Sequence, residues 1–458
     1  VLIYADQHRG GFTGAEGHPV VLTPAIDQLA AQGVLFPNSF TNGPSCRPGR
    51  AAMMTGRYIH DNGVWDNFLI APSSSDNHVR DVRDAGYETA VIGKTHLHDD
   101  KAHTNLTQFI LHDWGFDFVH ELVGQNEQVW HETPYSDWLT ANTPKGERDK
   151  YKRYNNYAQK YDWFSRGPDT PPWELTTDDH LDTYTGQVAA DWLRDRTDQR
   201  PFYLQVNFPG PHKPFDATAE FRDLYDPLDI DPGILEVPSN PGRLVQTLLG
   251  WKQELFTPDQ SRKLRLSYLA KCSLVDAAIA QVVEALDEIG ELDNTWIIFT
   301  SDHGELLGDH ALTGKIAFYE GSIRVPLVIR PPGGTKPWQA PGMVEQVDIP
   351  ETIRHIVGLA AHPDTEGESL LDRVLAGPNG PTANDGREVV LSQNLQHTMV
   401  RTHDYKLVYD VLLGEPNELY DLVNDPEERN NLVADAAHEA TRLQLIDQML
   451  QLGAPETF

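Results

Sequence analysis

The stretch with the most chemical potential is Cys46-Arg47-Pro48-Gly49-Arg50, which runs on into Ala51-Ala52-Met53-Met54-Thr55-Gly56 and holds one of only two cysteines in 458 residues. Asn42-Gly43-Pro44 before it reads as a turn. Pro48 suits the first turn of a helix, where a missing N–H costs nothing. The Ala and Met residues favour helix, and Gly56 suits a C-cap. Cys46 is therefore predicted at or just before a helix N-terminus, where unpaired N–H groups and the positive dipole end favour an anion. Arg50, about one turn on, adds a guanidinium fork suited to a tetrahedral oxyanion. A nucleophile, an anion-binding helix end and an arginine are what the ester of a strong oxyacid requires. Taken alone, the stretch reads equally well as a small buried cysteine at a helix start.

Other chemistry-bearing residues follow apolar, strand-like runs. Asp6-Gln7 follows residues 1–5, Gly93-Lys94-Thr95-His96 follows 87–92, Pro211-His212-Lys213 comes shortly after 202–208, and Asp302-His303 follows 295–300. Further runs at 34–40 and 325–330 alternate with helical patterns. The expected fold is α/β, a mostly parallel sheet with helices on both faces. Ligands of such sheets bind outside the carboxyl ends of the strands, so Asp6, Lys94, His212 and Asp302 are expected to converge although far apart in the chain. One helix is predicted to open at Thr23-Pro24, a cap followed by proline, and to close at Gly33.

Residues 120–180 are polar, lack clear periodicity and are rich in aromatics: Trp130, Tyr135, Trp138, Tyr151, Tyr154, Tyr157, Tyr161, Trp163 and Trp173. They read as an insertion over the active face of the sheet, offering either stacking walls for a sugar or aryl group or a small core of their own. The Gly-, Pro- and Asp-rich stretch 361–388 marks a boundary. Beyond it, 389–392 and 398–409, with a turn at His403-Asp404, predict a small antiparallel sheet, and 436–452 an amphipathic terminal helix. The expected division is a catalytic domain over 1–375 and a C-terminal subdomain over 376–458.

Acidic residues outnumber basic ones by 68 to 37, a net charge of −31. Nucleic acid, which requires a basic face, is excluded as a partner. An anionic substrate must be drawn in by a local basic pocket against this field. No apolar run approaches the roughly 20 residues of a membrane span. Two cysteines make no disulfide framework, and Cys272, in a helical pattern, reads as packing. The chain opens directly on a strand, which points to a trimmed N-terminus and leaves bacterial periplasm, secretion and cytoplasm all open.

Cys46, Pro48 and Arg50 match the Cys-x-Pro-x-Arg element of the type I sulfatases, so the chain resembles that family of the alkaline-phosphatase-like superfamily. The resemblance implies that a formylglycine-generating enzyme oxidises Cys46 after translation and that the hydrated aldehyde is the nucleophile. It also implies a divalent cation held by Asp6, Gln7, Asp302 and His303, with Cys46 as a further ligand position. Calcium is the first expectation, since it prefers oxygen ligands, and His303 leaves room for manganese or magnesium. Lys94 and His96 match the family's Gly-Lys-x-His element, His212 its Pro-His-x-Pro-Phe element, and Lys315 the lysine that follows its Asp-His-Gly segment. Lys94, Lys315 and Arg50 would then stabilise the sulfate oxygens. His212, or Lys315 with it, would protonate the leaving group, and His96 would assist in opening the intermediate. His310 and His180 are secondary expectations for substrate binding. The last family block, Asn417-Glu418-Leu419-Tyr420-Asp421 with Asn424-Asp425-Pro426, is assigned to structure. The departures are Gly49 for Ser or Ala, Gln7 for a second Asp, Ala311 for Gly, and Thr313 for a bulky aromatic. The implied activity is hydrolysis of a sulfate monoester, on a small molecule or an oligosaccharide. A carbohydrate is favoured over an aryl alcohol, with choline sulfate left open. The rivals are a phosphonate monoester or phosphodiester hydrolase, which Asp6-Gln7 allows, and a catalytically silent protein that binds sulfated glycans.

Overall fold

The computed structural model describes residues 1–99, 103–125, 127–160, 170–252 and 255–457. Strand β1 (Leu2–Asp6) is buried along its whole length and lies within an eight-stranded sheet. Its partners are β2 (Val34–Leu35), β4 (Glu88–Lys94), β5 (Phe118–Leu122), β6 (Phe202–Pro211), β7 (Ile297–Ser301), β8 (Leu327–Arg330) and β9 (Trp338–Gln339), in the order β5-β4-β6-β1-β7-β8-β2-β9. The pairs β5–β4, β4–β6, β6–β1 and β1–β7 are parallel. The mostly parallel α/β sheet expected from the sequence is what the chain forms. Strand β8 alone runs antiparallel to its neighbours β7 and β2. Residues 302–326, between β7 and β8, therefore start and finish at the carboxyl edge and cross no face of the sheet. This segment carries His303 and Lys315.

Alternation along β1 feeds two cores. Leu2 and Tyr4 join Met53, Met54, Val79, Ile349 and Val374 on one face. Ile3 and Ala5 join Ile26, Ala189, Leu193, Val275, Ile279 and Val282 on the other. Each fully buried aliphatic side chain contributes about 1.5–3 kcal/mol. Residues 34–40 do not form one strand. Pro37 has no N–H to donate, and after it the chain leaves β2 and pairs as β3 (Ser39–Phe40) with β10 (Val344–Glu345) in a separate ribbon.

In residues 120–180 the stretch begins inside an edge strand, β5, and then forms the helices Pro134–Ala141 and Lys150–Lys160. Tyr135, Tyr154, Tyr157 and Trp173 are buried against one another and Tyr184. Their hydroxyls are satisfied on backbone carbonyls: Tyr135 on Asp179, Tyr154 on Gln125, Tyr157 on Pro171. These aromatics are thus the insertion's own core, and Trp130, 75% exposed, stands outside it. Tyr161 and Trp163 lie outside the described residues.

The C-terminal sheet is a meander of β11 (Val390–Asn394), β12 (His397–Arg401), β13 (Tyr405–Asp410) and β14 (Glu415–Asp421), closed by the helix Glu439–Gln451. Leu407, Val400, Leu445 and Met449 share a core with Ala52 and Tyr58, which ties the meander to the helix that begins at Cys46.

The helix Pro24–Ala31 has the predicted proline start but not the predicted cap. The Thr23 hydroxyl donates to Asp27 instead. Asp276, from the long helix Pro258–Glu288, accepts the N–H groups of Ala25 and Ile26 at 3.0 and 2.9 Å. Burial outweighs these bonds and pushes the Asp276 carboxyl up to about 7. A raised folded-state value means a contribution to stability that is complete below the unfolded carboxylate range and lost as pH rises through about 7. Urea midpoints of wild type and Asp276→Asn, measured from pH 4 to 8, should show the wild type losing more stability over that window than the variant. Parallel profiles would remove Asp276 as the cause.

Candidate active site

Four neighbouring parallel strands, β4, β6, β1 and β7, deliver Lys94, His212, Asp6 and Asp302 to one edge. Register breaks between Ala5 and Asp6, and Gln7 adopts a left-handed φ of 70°, so the chain turns sharply off the sheet at its ligand-bearing residues. The helix Cys46–Thr55 starts over the same edge, with Ser45 extended before it and Gly56 left-handed after it. Gly49 brings the helix against the strand ends. A Cβ there would stand 2.7 Å from the carbonyl oxygen of Asp302 and 3.0 Å from that of Gly43. The departure from Ser or Ala at this position is therefore a close approach that only glycine permits.

Arg50 is the bridge. Its Nε donates to Asp302 Oδ2 at 3.0 Å, its Nη2 to Asp6 Oδ2 at 3.2 Å, and its Nη1 to the carbonyl of Lys94. Lys94 Nζ lies 2.7 Å from the same Asp6 oxygen. With the outer oxygens engaged, Oδ1 of each aspartate turns inward, Asp6 to 3.9 Å and Asp302 to 3.6 Å from His303 Nε2. Asp302 Oδ1 also accepts the backbone N–H groups of Gln7 and His303 at 2.9 Å. Nδ1 of His303 faces its neighbour's carbonyl, Gly304 O, at 2.9 Å, which leaves Nε2 for the cluster. Cys46 Sγ sits 3.3 Å from His303 Nε2 and accepts from Lys315 Nζ at 3.0 Å. Ligand atoms of Asp6, Cys46, Asp302 and His303 all fall within 4.8 Å of one another, a grouping that could hold a divalent metal. Lys315 Nζ also donates to Gln7 Oε1 at 2.9 Å.

The electrostatics are those of a basic pocket in an acidic protein. Burial would raise Asp6, but Lys94, His212, Arg50 and Lys315 hold it well below the usual carboxylate range. Burial and Asp6 push the Cys46 thiol up, and Lys315, Lys94 and His303 more than reverse this, so it is lowered. Burial disfavours charged His303, yet Asp302 raises it, a pull that a bound cation would satisfy. His212 is driven well below its ordinary value by burial, then by Lys315. His96, also left-handed at φ 56°, is lowered by burial and by Lys94.

A cavity of about 100 Å³ opens beside Gln7, His212 and Lys315, and its lining also includes the polar Asn67, Lys213 and Thr313 and the apolar Leu248, Leu312 and Ile316. A larger hollow, about 610 Å³ beside Val1 and Phe202, lies at the amino ends of the strands and holds none of these groups.

Two expected residues do not join the cluster. The His310 ring stacks on Tyr319 with centroids 3.9 Å apart and lines a different hollow beside Arg9 and Arg265. Its neighbour Asp309 is held by those arginines, and His310 itself has a left-handed φ of 56°. His180 is buried behind the β6 end, against Lys271 and Asp216. Conversely, Glu305 went unread. It accepts the Gln7 side-chain amide, and its other oxygen accepts Leu307 N at 3.0 Å and Gly314 N. Its place directly after Asp302-His303-Gly304 was the available signal.

A sulfatase family model matches residues 1–359, and a model described as N-sulphoglucosamine sulphohydrolase, C-terminal, matches 308–454. The chain belongs to the sulfatase family. Its relatives include an arylsulfatase of Clostridium perfringens, 28% identical over 94% of this chain and 89% of that protein, and a choline-sulfatase of Rhizobium meliloti, 28% identical over 94% and 81%. Among solved structures, a phosphonate monoester hydrolase of Agrobacterium radiobacter superposes with a TM-score of 0.78 at 26% identity, over 99% of this chain and 94% of that one. The protein is thus a sulfuric ester hydrolase with an alkaline-phosphatase-like fold.

Gly49→Ala should lower the unfolding free energy by about 1–3 kcal/mol, as overpacking does, read as a lower urea midpoint at unchanged m-value. An unshifted midpoint would mean that the helix can retreat from Asp302 at no cost.

Proposed function

We propose that this sulfatase hydrolyses a sulfate monoester through a nucleophile made from Cys46, beside a divalent cation held by Asp6, Gln7, Asp302 and His303. The observation that carries the reading is the position of Cys46 Sγ, 3.0 Å from Lys315 Nζ and 3.3 Å from His303 Nε2, among inward-facing carboxylate oxygens. The donor set fits such a cation: two carboxylates, an imidazole nitrogen with its tautomer set by Gly304, and an amide oxygen. When bound, the cation would lower the cost of ionising a hydroxyl at position 46 and neutralise sulfate oxygens. A hydrated aldehyde there would supply that hydroxyl to sulfur and afterwards release sulfate by C–O cleavage, a second half that a thiol cannot complete.

The chain's own groups do the rest. Arg50 and Lys94 balance the buried aspartates, and Lys315 remains as a cation directed at position 46. The His212 ring is oriented by its Nδ1 against Lys213 O at 2.8 Å. Burial and Lys315 hold it well below its ordinary value. An arriving sulfate monoester adds negative charge beside it, raises its proton affinity and equips it to protonate the bridging oxygen, with Lys315 assisting. His96 is close enough to feel Lys94, Arg47 and Arg50, in keeping with a role in opening the intermediate.

For the leaving group, a lining that combines Leu248, Leu312 and Ile316 with Asn67 and Thr313 suits a sugar or aryl ring. The inward packing of Tyr135, Tyr154, Tyr157 and Trp173 removes them as stacking walls. No carboxylate lines the cavity among the described residues, which disfavours cationic choline. Phosphonate monoester hydrolysis remains the rival, and the likeness to the Agrobacterium radiobacter hydrolase fits it.

Mass analysis of the peptide containing Cys46 should find aldehyde in active material, and Cys46→Ala should abolish turnover of 4-nitrophenyl sulfate. Equal turnover by thiol-only protein would overturn the mechanism. Lys94→Met should lower kcat/KM by about 10²–10³, and the wild type should prefer the aryl sulfate to the matching phosphonate monoester. The reverse preference would move the protein to the phosphonate reading.

A further inference from the structure

The segment that carries His212 is gripped from behind by a buried polar cluster. Lys271 lies in the helix Pro258–Glu288 and is wholly buried. Its Nζ is 2.6 Å from Asp216 Oδ1, 2.9 Å from Asp182 Oδ2 and 3.0 Å from His180 Nε2. It also donates to the side-chain oxygen of Gln125, whose amide nitrogen then faces the carbonyl of His212 at 3.1 Å. That orientation is the one in which both Gln125 atoms meet complementary partners. The other oxygen of Asp182 accepts the N–H of Gly210 at 2.7 Å. One ammonium therefore joins a clamp on Gly210, a clamp on the His212 carbonyl, and Asp216 four residues on. Among the described residues the His212 ring bonds to its own neighbour's carbonyl, Lys213 O, so the pose of this backbone sets the pose of the ring.

We propose that Lys271 is a positioning residue for His212, acting through Asp182, Asp216 and Gln125 to hold the imidazole where it can protonate the departing oxygen. The proposal rests on the reading of His212 as the proton donor. Stability alone is a poor reason for such a cluster, since replacing buried ion pairs by packed apolar groups is often neutral or stabilising. A proton donor, in contrast, loses about 10²-fold in rate when misplaced by about 1 Å.

The test uses the full-length matured protein and a series of sulfate esters, from 4-nitrophenyl through phenyl to a simple alkyl sulfate. Only the poorer leaving groups need a proton. Lys271→Met should cut kcat on the alkyl ester by about 10–100-fold, following that misplacement cost, with KM little changed and 4-nitrophenyl sulfate affected less than about twofold. Gln125→Leu, which leaves the ion pairs intact, should show the same graded pattern to a smaller extent and stands in if Lys271→Met does not fold. Loss of equal size across the series, or no loss, in whichever of these variants folds, overturns the proposal. His212→Asn separates the levels. A graded loss in His212→Asn but not in the Lys271 and Gln125 variants would sink the positioning role alone. A flat response in His212→Asn would sink the proton-donor reading and the proposal with it.

Discussion

Two aspartates at the ends of adjacent strands, buried to nothing and facing one another, are the constraint on which the site depends. An unpaired buried carboxylate is costly, and two in contact more so. Arg50 makes the arrangement possible. It reaches Asp6, Asp302 and the Lys94 carbonyl at once, so it joins the ends of β1, β7 and β4 to the helix that starts at Cys46. Removal of one partner from such a set costs about 3–5 kcal/mol. The guanidinium is therefore as much a strut as a charge, and its planar fork is what allows it to serve three strand ends.

Much of this was legible because it is written locally. Cys46, Pro48 and Arg50 occupy one helical turn, and Asp6, Lys94 and Asp302 announce themselves by following apolar runs. What escaped depends on packing between distant segments. Asp276 capping the helix Pro24–Ala31 lies 250 residues from the N–H groups it accepts. Strand β8 runs antiparallel to both its neighbours, a direction that an apolar run cannot reveal. His310 is marked as a site residue by its place in a motif, but its ring stacks on Tyr319 away from the cluster.

The same distinction explains the aromatic stretch. Tyr135, Tyr154, Tyr157 and Trp173 carry both an apolar body and a polar tip, so composition alone left both ligand walls and a private core open. The hydroxyls settle it. Each tyrosine finds a carbonyl within the insertion or at its base, which satisfies the polar tip only if the ring points inward.

Gln7 in place of a second aspartate follows from its neighbour. Glu305 sits against the side chain of residue 7, and its remaining oxygen is taken up by the N–H groups of Leu307 and Gly314. A carboxylate at position 7 would face another carboxylate across a buried contact, a like-charge pair that a low-dielectric site penalises. An amide instead donates to Glu305 and so presents its oxygen to Lys315. One glutamate thus orients the residue 7 oxygen and anchors the loop that delivers Lys315. The cluster carries one negative charge fewer than an Asp-Asp start would give it. Lys315 is bonded there to a neutral oxygen, so no carboxylate at residue 7 competes with the anion that comes to position 46.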